Sequence, residues 1–118
     1  MTTLELTSEN FDPSITTNDI VIVDFWAAWC GPCRMFAPIF EAASEKHEDI
    51  LFGKVDTEAQ QQLASAAGIQ SIPTLMVFRE KVLLFSQAGA LPAPALEDLI
   101  AQVKSIDMVA VHKELAAQ

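Results

Sequence analysis

Seven consecutive residues, Ile20 to Trp26 (IVIVDFW), restrict this chain more than any other feature. β-Branched and aromatic side chains occupy both parities, so a strand built from them needs cover on both faces. A one-sided antiparallel sheet cannot supply that cover, whereas a sheet sandwiched between helices can.

The flanking pattern supplies such helices. Thr3 to Leu6 reads as a short strand and Ser8 to Thr17 as a helical stretch interrupted by Asp12-Pro13. Beyond Cys33, residues Phe36, Ile39, Phe40 and Ala43 fall at i, i+3, i+4 and i+7, the buried stripe of a helix. Pro38 lies inside it and is expected to kink it, having no N–H for the carbonyl of Arg34. Leu51 to Val55 reads as the next strand. Thr57 and Gln60 resemble a capping box, and Gly68 is a natural stop for the helix between. Thr74 to Phe78 and Val82 to Ser86 pair through Arg79-Glu80-Lys81, and Leu96, Leu99, Ile100 and Val103 mark a helix from Ala93 onward. The expectation is an α/β fold: a central mixed β-sheet with helices on both faces.

Length and composition narrow the function. The 118 residues suit one domain, and 51% hydrophobic against 19% charged residues is ample for one core. A net charge of -9, spread without a block of like charges, opposes binding to nucleic acid. Met1 to Asn10 carries no Lys or Arg and no long apolar stretch, unlike a signal peptide. The apolar runs are too short to span a membrane, so a cytoplasmic location is expected.

In a reducing compartment, the two cysteines of Trp29-Cys30-Gly31-Pro32-Cys33 point to catalysis or metal binding before a structural staple. Structural zinc needs four ligands, but His47 and His112 have no paired spacing. Covalent haem needs a histidine where Arg34 stands, and an iron–sulfur cluster needs more cysteines. As a crosslink, so short a loop contributes only about 2 kcal/mol. Reversible redox chemistry remains. Gly31-Pro32 forms a tight turn with Pro32 just inside a helix start, which sets Cys30 at the N-cap end and Cys33 in the first turn. Unpaired N–H groups and the positive end of the helix dipole then stabilise a thiolate at Cys30. Cys30 is expected to attack and Cys33 to resolve the mixed disulfide.

Trp29 to Cys33, the strand bearing Asp24, and Ser71-Ile72-Pro73-Thr74 together resemble the thioredoxin family, over about Leu4 to Lys104. The resemblance implies the thioredoxin fold and a dithiol that reduces protein disulfides. It also implies no bound cofactor: electrons would come from NADPH through a separate flavin-dependent thioredoxin reductase, and the clients would be oxidised proteins. Gly31-Pro32 is the pair found in the reducing members; oxidases and isomerases usually place a histidine before the second cysteine. A third reading, a binding module with incidental cysteines, is disfavoured by the intact dithiol.

Asp24 taken alone reads equally as a hydrogen-bonded core carboxyl. Burial in an apolar strand is expected to raise its pKa, and the resemblance implies a proton acceptor and donor for Cys33 through water, modulated by Lys54. Pro73 alone is an ordinary strand-start proline; the resemblance implies a cis proline packed against the cysteines, with the Ile72 backbone pairing with substrate. It further implies an apolar rim of Trp29, Gly31, Pro32, Ile72, Gly89 and Ala90, with Trp26 packing beneath. His47 near a helix C-terminus suits the dipole, and Met35 and Met76 read as gap-filling or surface residues.

Gln70 stands where many members carry a basic residue, and the Arg79-Glu80-Lys81 turn lacks the usual Gly or Asn. The thioredoxin domain is expected over 1–104, with 105–118 a helical extension of the same domain. Met108, Val111 and Leu115 give it an apolar stripe, and Ser105 or Asp107 could cap it. A longer terminal helix or one folded back on the domain is expected, in a monomer; the alternative is a contact surface for a partner or second copy.

Overall fold

The computed structural model describes residues 2–118. Ile20 to Trp26 forms β2, the central strand, and its neighbours give the sheet order β1-β3-β2-β4-β5. β1 (Thr3–Glu5) and β3 (Leu51–Asp56) are parallel to each other, and β3 is parallel to β2. β4 (Thr74–Arg79) runs antiparallel to β2 and pairs with β5 (Val82–Ala88) as a hairpin.

Alternation along β2 divides the core in two. Ile20 and Ile22 join Phe52, Leu75 and Val77 under α2 (Gly31–Lys46) and α4 (Ala93–Ser105). Val21, Val23 and Phe25 join Leu6, Val55 and Met76 on the other face, covered by α1 (Phe11–Thr17) and by Leu63 of α3 (Gln61–Ala66). Both faces of β2 are therefore dry, as its composition requires. Pro38 lies within α2, which continues through it to Lys46.

Three local expectations are corrected. Residues 8–10 are not helical: Asn10 Oδ1 accepts from Thr7 N at 2.7 Å and Asn10 Nδ2 donates to Glu5 O, closing a turn that precedes α1. Pro13 then falls in the first helical turn, where its missing N–H costs nothing. Thr57 and Gln60 do not form a capping box. Thr57 donates from both N and Oγ1 to Trp26 O, each at 2.9 Å, while Gln60 Oε1 accepts from Ser8 N, so α3 starts only at Gln61. His47, the C-cap of α2, does more than meet a dipole: its Nε2 lies 2.8 Å from Glu97 Oε1 on α4. Met35 and Met76 fall as expected, Met76 filling the core and Met35 on the surface.

The tail is a separate helix, α5 (Met108–Ala116), capped by Asp107, whose Oδ1 accepts from Val109 N and Ala110 N. Ser105 instead donates to Gln102 O. Arg79, at the end of β4, seats the junction by donating from Nη1 to the carbonyls of Val103, Lys104 and Ile106. Met108 is buried and His112 Nε2 meets Glu80 Oε1 at 2.8 Å, so the tail folds back against the hairpin turn. Its apolar stripe is only half used, since Leu115 remains 45% exposed.

Candidate active site

The end of β2 delivers the chain into Ala27 to Trp29 and then into α2, whose N-cap is Cys30. Cys30 has extended backbone dihedrals while Gly31 and Pro32 open the helix, as the turn chemistry anticipates. The two sulfurs are joined as a disulfide across a Cα–Cα distance of 5.2 Å. Cys30 Sγ also accepts from Cys33 N at 3.2 Å, so one of the orphan N–H groups of the first turn points at the sulfur. Arg34 Nη1 donates to Ala28 O, tying the loop before the helix to the helix itself.

Access to the two sulfurs differs. Cys30 is only 4% exposed, yet it lines a surface groove of about 680 Å³ together with Trp29, Gly31, Pro32 and Ile72. Cys33, 2% exposed, does not line it; both cysteines belong with Ala27 to a small apolar cluster packed by Trp26 and Ile72. Trp29 stands at the rim, 67% exposed. The opposite wall comes from the start and flank of α3, with Glu58, Gln61, Ser65, Ile69 and Gln70. This wall escapes sequence reasoning, because Glu58 to Gln70 carries no chemical motif and meets the cysteines only through β3 and the fold of α3. Gly89 and Ala90, expected on the rim, do not line the groove. Gly89, at a φ of 110° that suits glycine, donates instead to Pro73 O at 2.7 Å.

The Ile72–Pro73 peptide bond is cis, and Ile72 O lies 3.7 Å from Cys30 Sγ. Pro73 thus sits beside the disulfide, and Thr74 Oγ1 donates to Ser71 O across the turn at 2.6 Å.

Asp24 lies in the middle of β2, between Lys54 on β3 and Leu75 on β4. It is 0% exposed, and neither carboxylate oxygen has a hydrogen-bond partner among the described residues. Burial pushes the Asp24 pKa from 3.8 up to about 7, and the Lys54 charge offsets only part of that rise. Near neutrality such a group can take or release a proton. Lys54 is half-buried, with its Nζ over the ring of Trp26.

Among the described residues no group of three or more His, Cys, Asp or Glu is arranged to hold a metal. None of the described helices is long and apolar enough to cross a membrane.

Comparison with known proteins agrees with this geometry. The thioredoxin family model matches residues 2–102. The chain is 57% identical over 116 residues to a putative thioredoxin 2 of Streptomyces coelicolor, spanning 98% of this chain and 87% of that one. It is 36% identical over 101 residues to a thioredoxin of Bacillus subtilis, spanning 85% of this chain and 96% of that one. Among solved structures it is similar to a mutant thioredoxin from Halobacterium salinarum NRC-1, at a TM-score of 0.81 and 34% identity over 88% of this chain and 92% of that one. A disulfide-forming C-x-x-C at a helix start, on a fold and sequence shared this widely, makes this protein a thiol–disulfide oxidoreductase belonging to the thioredoxin family.

Proposed function

We propose that the protein reduces disulfides in other proteins, with Cys30 as the attacking sulfur and Cys33 as the resolving one. The Cys30 thiolate attacks one sulfur of the client disulfide, forming a mixed disulfide and releasing the other client sulfur as a thiolate. Cys33 then gives its proton to Asp24, attacks Cys30 and displaces the second client thiolate. The client gains two electrons and the Cys30–Cys33 pair loses two. The observation that carries this reading is the asymmetry of the pair: Cys30 faces the groove at a helix N-cap, and Cys33 lies behind it. A sulfur that must meet a large client needs the first position, and one that must only meet its neighbour suits the second.

In this reading Trp29, Gly31, Pro32 and Ile72 receive the client, the Ile72 backbone pairing with it as a short added strand. Gly89 and Ala90 extend that surface, and Pro73 supports it. Lys54 modulates Asp24. A flavin-dependent, NADPH-consuming thioredoxin reductase restores the dithiol, and the cycle maintains redox homeostasis in the cytoplasm. Residues 105–118 act as part of the same domain as 1–104, in a monomer.

Reduction of insulin by wild type and by Cys30→Ser, with dithiothreitol as the electron source, tests this. Activity should be present in the first and lost in the second; equal rates would overturn it. Cys33→Ser should accumulate client proteins as mixed disulfides at Cys30, and accumulation on Cys30→Ser instead would reverse the assigned order.

A further inference from the structure

Lys54 is held in place in an unusual way. In the parallel pairing of β2 with β3 it stands beside Asp24, and Trp26 follows two residues later, so all three project from one face of the sheet. On that face Lys54 and Trp26 line a cleft of about 470 Å³, together with Glu5 of β1, Glu41 of α2 and Asp56 of β3. Three carboxylates share a cleft with one ammonium, yet none forms an ion pair with it among the described residues. Two of them are engaged elsewhere. Glu41 accepts from the hydroxyls of Thr2 and Thr3, and Asp56 Oδ1 accepts from Glu58 N and Ala59 N. The Lys54 ammonium instead lies 4.9 Å from the centroid of the Trp26 ring.

We propose that Trp26 is a positioning residue for the proton chemistry of the site: its ring face holds the Lys54 ammonium beside Asp24 without neutralising it. A carboxylate partner would anchor the lysine equally well, but its negative charge would cancel most of the field felt by Asp24. An aromatic ring attracts the cation through its quadrupole and carries no net charge, so the positive charge stays available to the buried carboxyl. The field of Lys54, shared with Glu41 but not cancelled by an ion pair, then limits the rise that burial imposes on Asp24. The groups facing this arrangement are Glu5, Glu41 and Asp56 in the cleft and, on α2, Cys33, against whose cluster Trp26 packs; the β4 neighbour, Leu75, does not titrate. The consequence for Cys33 rests on the proposed function, whereas the charge arrangement itself does not.

The test is the titration of the Asp24 carboxyl by carbon-detected NMR in the oxidised protein, where neither thiol ionises and no turnover is needed. Trp26→Leu should raise the midpoint by about half a pH unit, as a partly released cation retreats into solvent. Trp26→Phe, which keeps a weaker ring, should raise it less, and Lys54→Met at least as much as Trp26→Leu. In a Lys54→Met background Trp26→Leu should add nothing further. A purely packing role predicts the opposite sign, since a loosened site admits water and lowers the midpoint toward an ordinary carboxyl. An unchanged or lowered midpoint in Trp26→Leu, or a rise that persists without Lys54, overturns the proposal. Should Trp26→Leu not fold, Trp26→Phe with and without Lys54 provides the same comparison, read in the same way. Loss of the insulin-reduction difference between wild type and Cys30→Ser would instead strike the proposed function and leave this titration standing.

Discussion

Replacing Asp24 with asparagine should make folding stability markedly less dependent on pH. In wild type the carboxyl is neutral in both folded and unfolded chains below about pH 4, so burial imposes no proton-linked penalty there. As pH rises through 3.8 the unfolded chain releases this proton, while the folded chain keeps it until about pH 7. The unfolded state is progressively favoured across that window, and above about pH 7 the loss levels off. A rise from 3.8 to about 7 is roughly 3 units, and at about 1.4 kcal/mol per unit this gives a loss of about 4 kcal/mol as an upper bound. Urea unfolding of both proteins in the oxidised form, followed by far-UV circular dichroism, would measure it. Taking the difference between the two proteins cancels the titration of the other acidic groups. The variant's stability relative to wild type should increase by several kcal/mol from about pH 4 to about pH 8. With a urea slope of about 2 kcal/mol per molar, the full effect separates the midpoints by about 2 M more at the higher pH. A difference that stays constant across that range would show that Asp24 is not held neutral in the fold, and the reasoning from burial would fail.

Three further substitutions probe the scaffold that holds the site. A Cβ on Gly53 would overlap the side chain of Leu6, so Gly53→Val should cost about 1–3 kcal/mol in thermal unfolding. Combining it with Leu6→Ala should recover part of that loss relative to the sum of the single changes, and strict additivity would contradict the overlap. Arg79→Ala removes three hydrogen bonds from a charged donor to the end of α4, at a cost of about 1.5–3 kcal/mol. Amide exchange should quicken in the last turn of α4 and in α5 before it does in β2; a uniform change would refute the local role. Lys81 sits at a φ of 70° in the hairpin turn, and Lys81→Gly should raise stability by up to about 1 kcal/mol in denaturant titration, with a loss counting against strain there.

Much of the architecture was legible because the residues that form it interact with near neighbours in the chain. IVIVDFW announced a strand covered on both faces, and Gly31-Pro32 announced a helix start with Cys30 as its cap. Capping and loop details were less legible, since they are settled by competition with distant partners. Thr57 follows the capping-box pattern but is drawn to the Trp26 carbonyl, and Gln60 turns to Ser8. Likewise Asp107 and Ser105 were equal candidates until geometry assigned the cap to Asp107. The tail's course also depends on contacts far away in sequence, with Arg79 and Glu80.

The amino-acid order sufficed to place two sulfurs three residues apart at a helix N-terminus, and with that the redox chemistry, because tight turns and helix starts are local. It did not reveal that Glu58 to Gln70 walls the groove, that Asp24 lacks a hydrogen-bond partner among the described residues, or that an indole ring lies against the neighbouring ammonium. The first arises where α3 faces the start of α2, the other two where β2, β3 and α2 converge. Burial and electric field depend on everything surrounding a group, and most of what surrounds Asp24 comes from elsewhere in the chain.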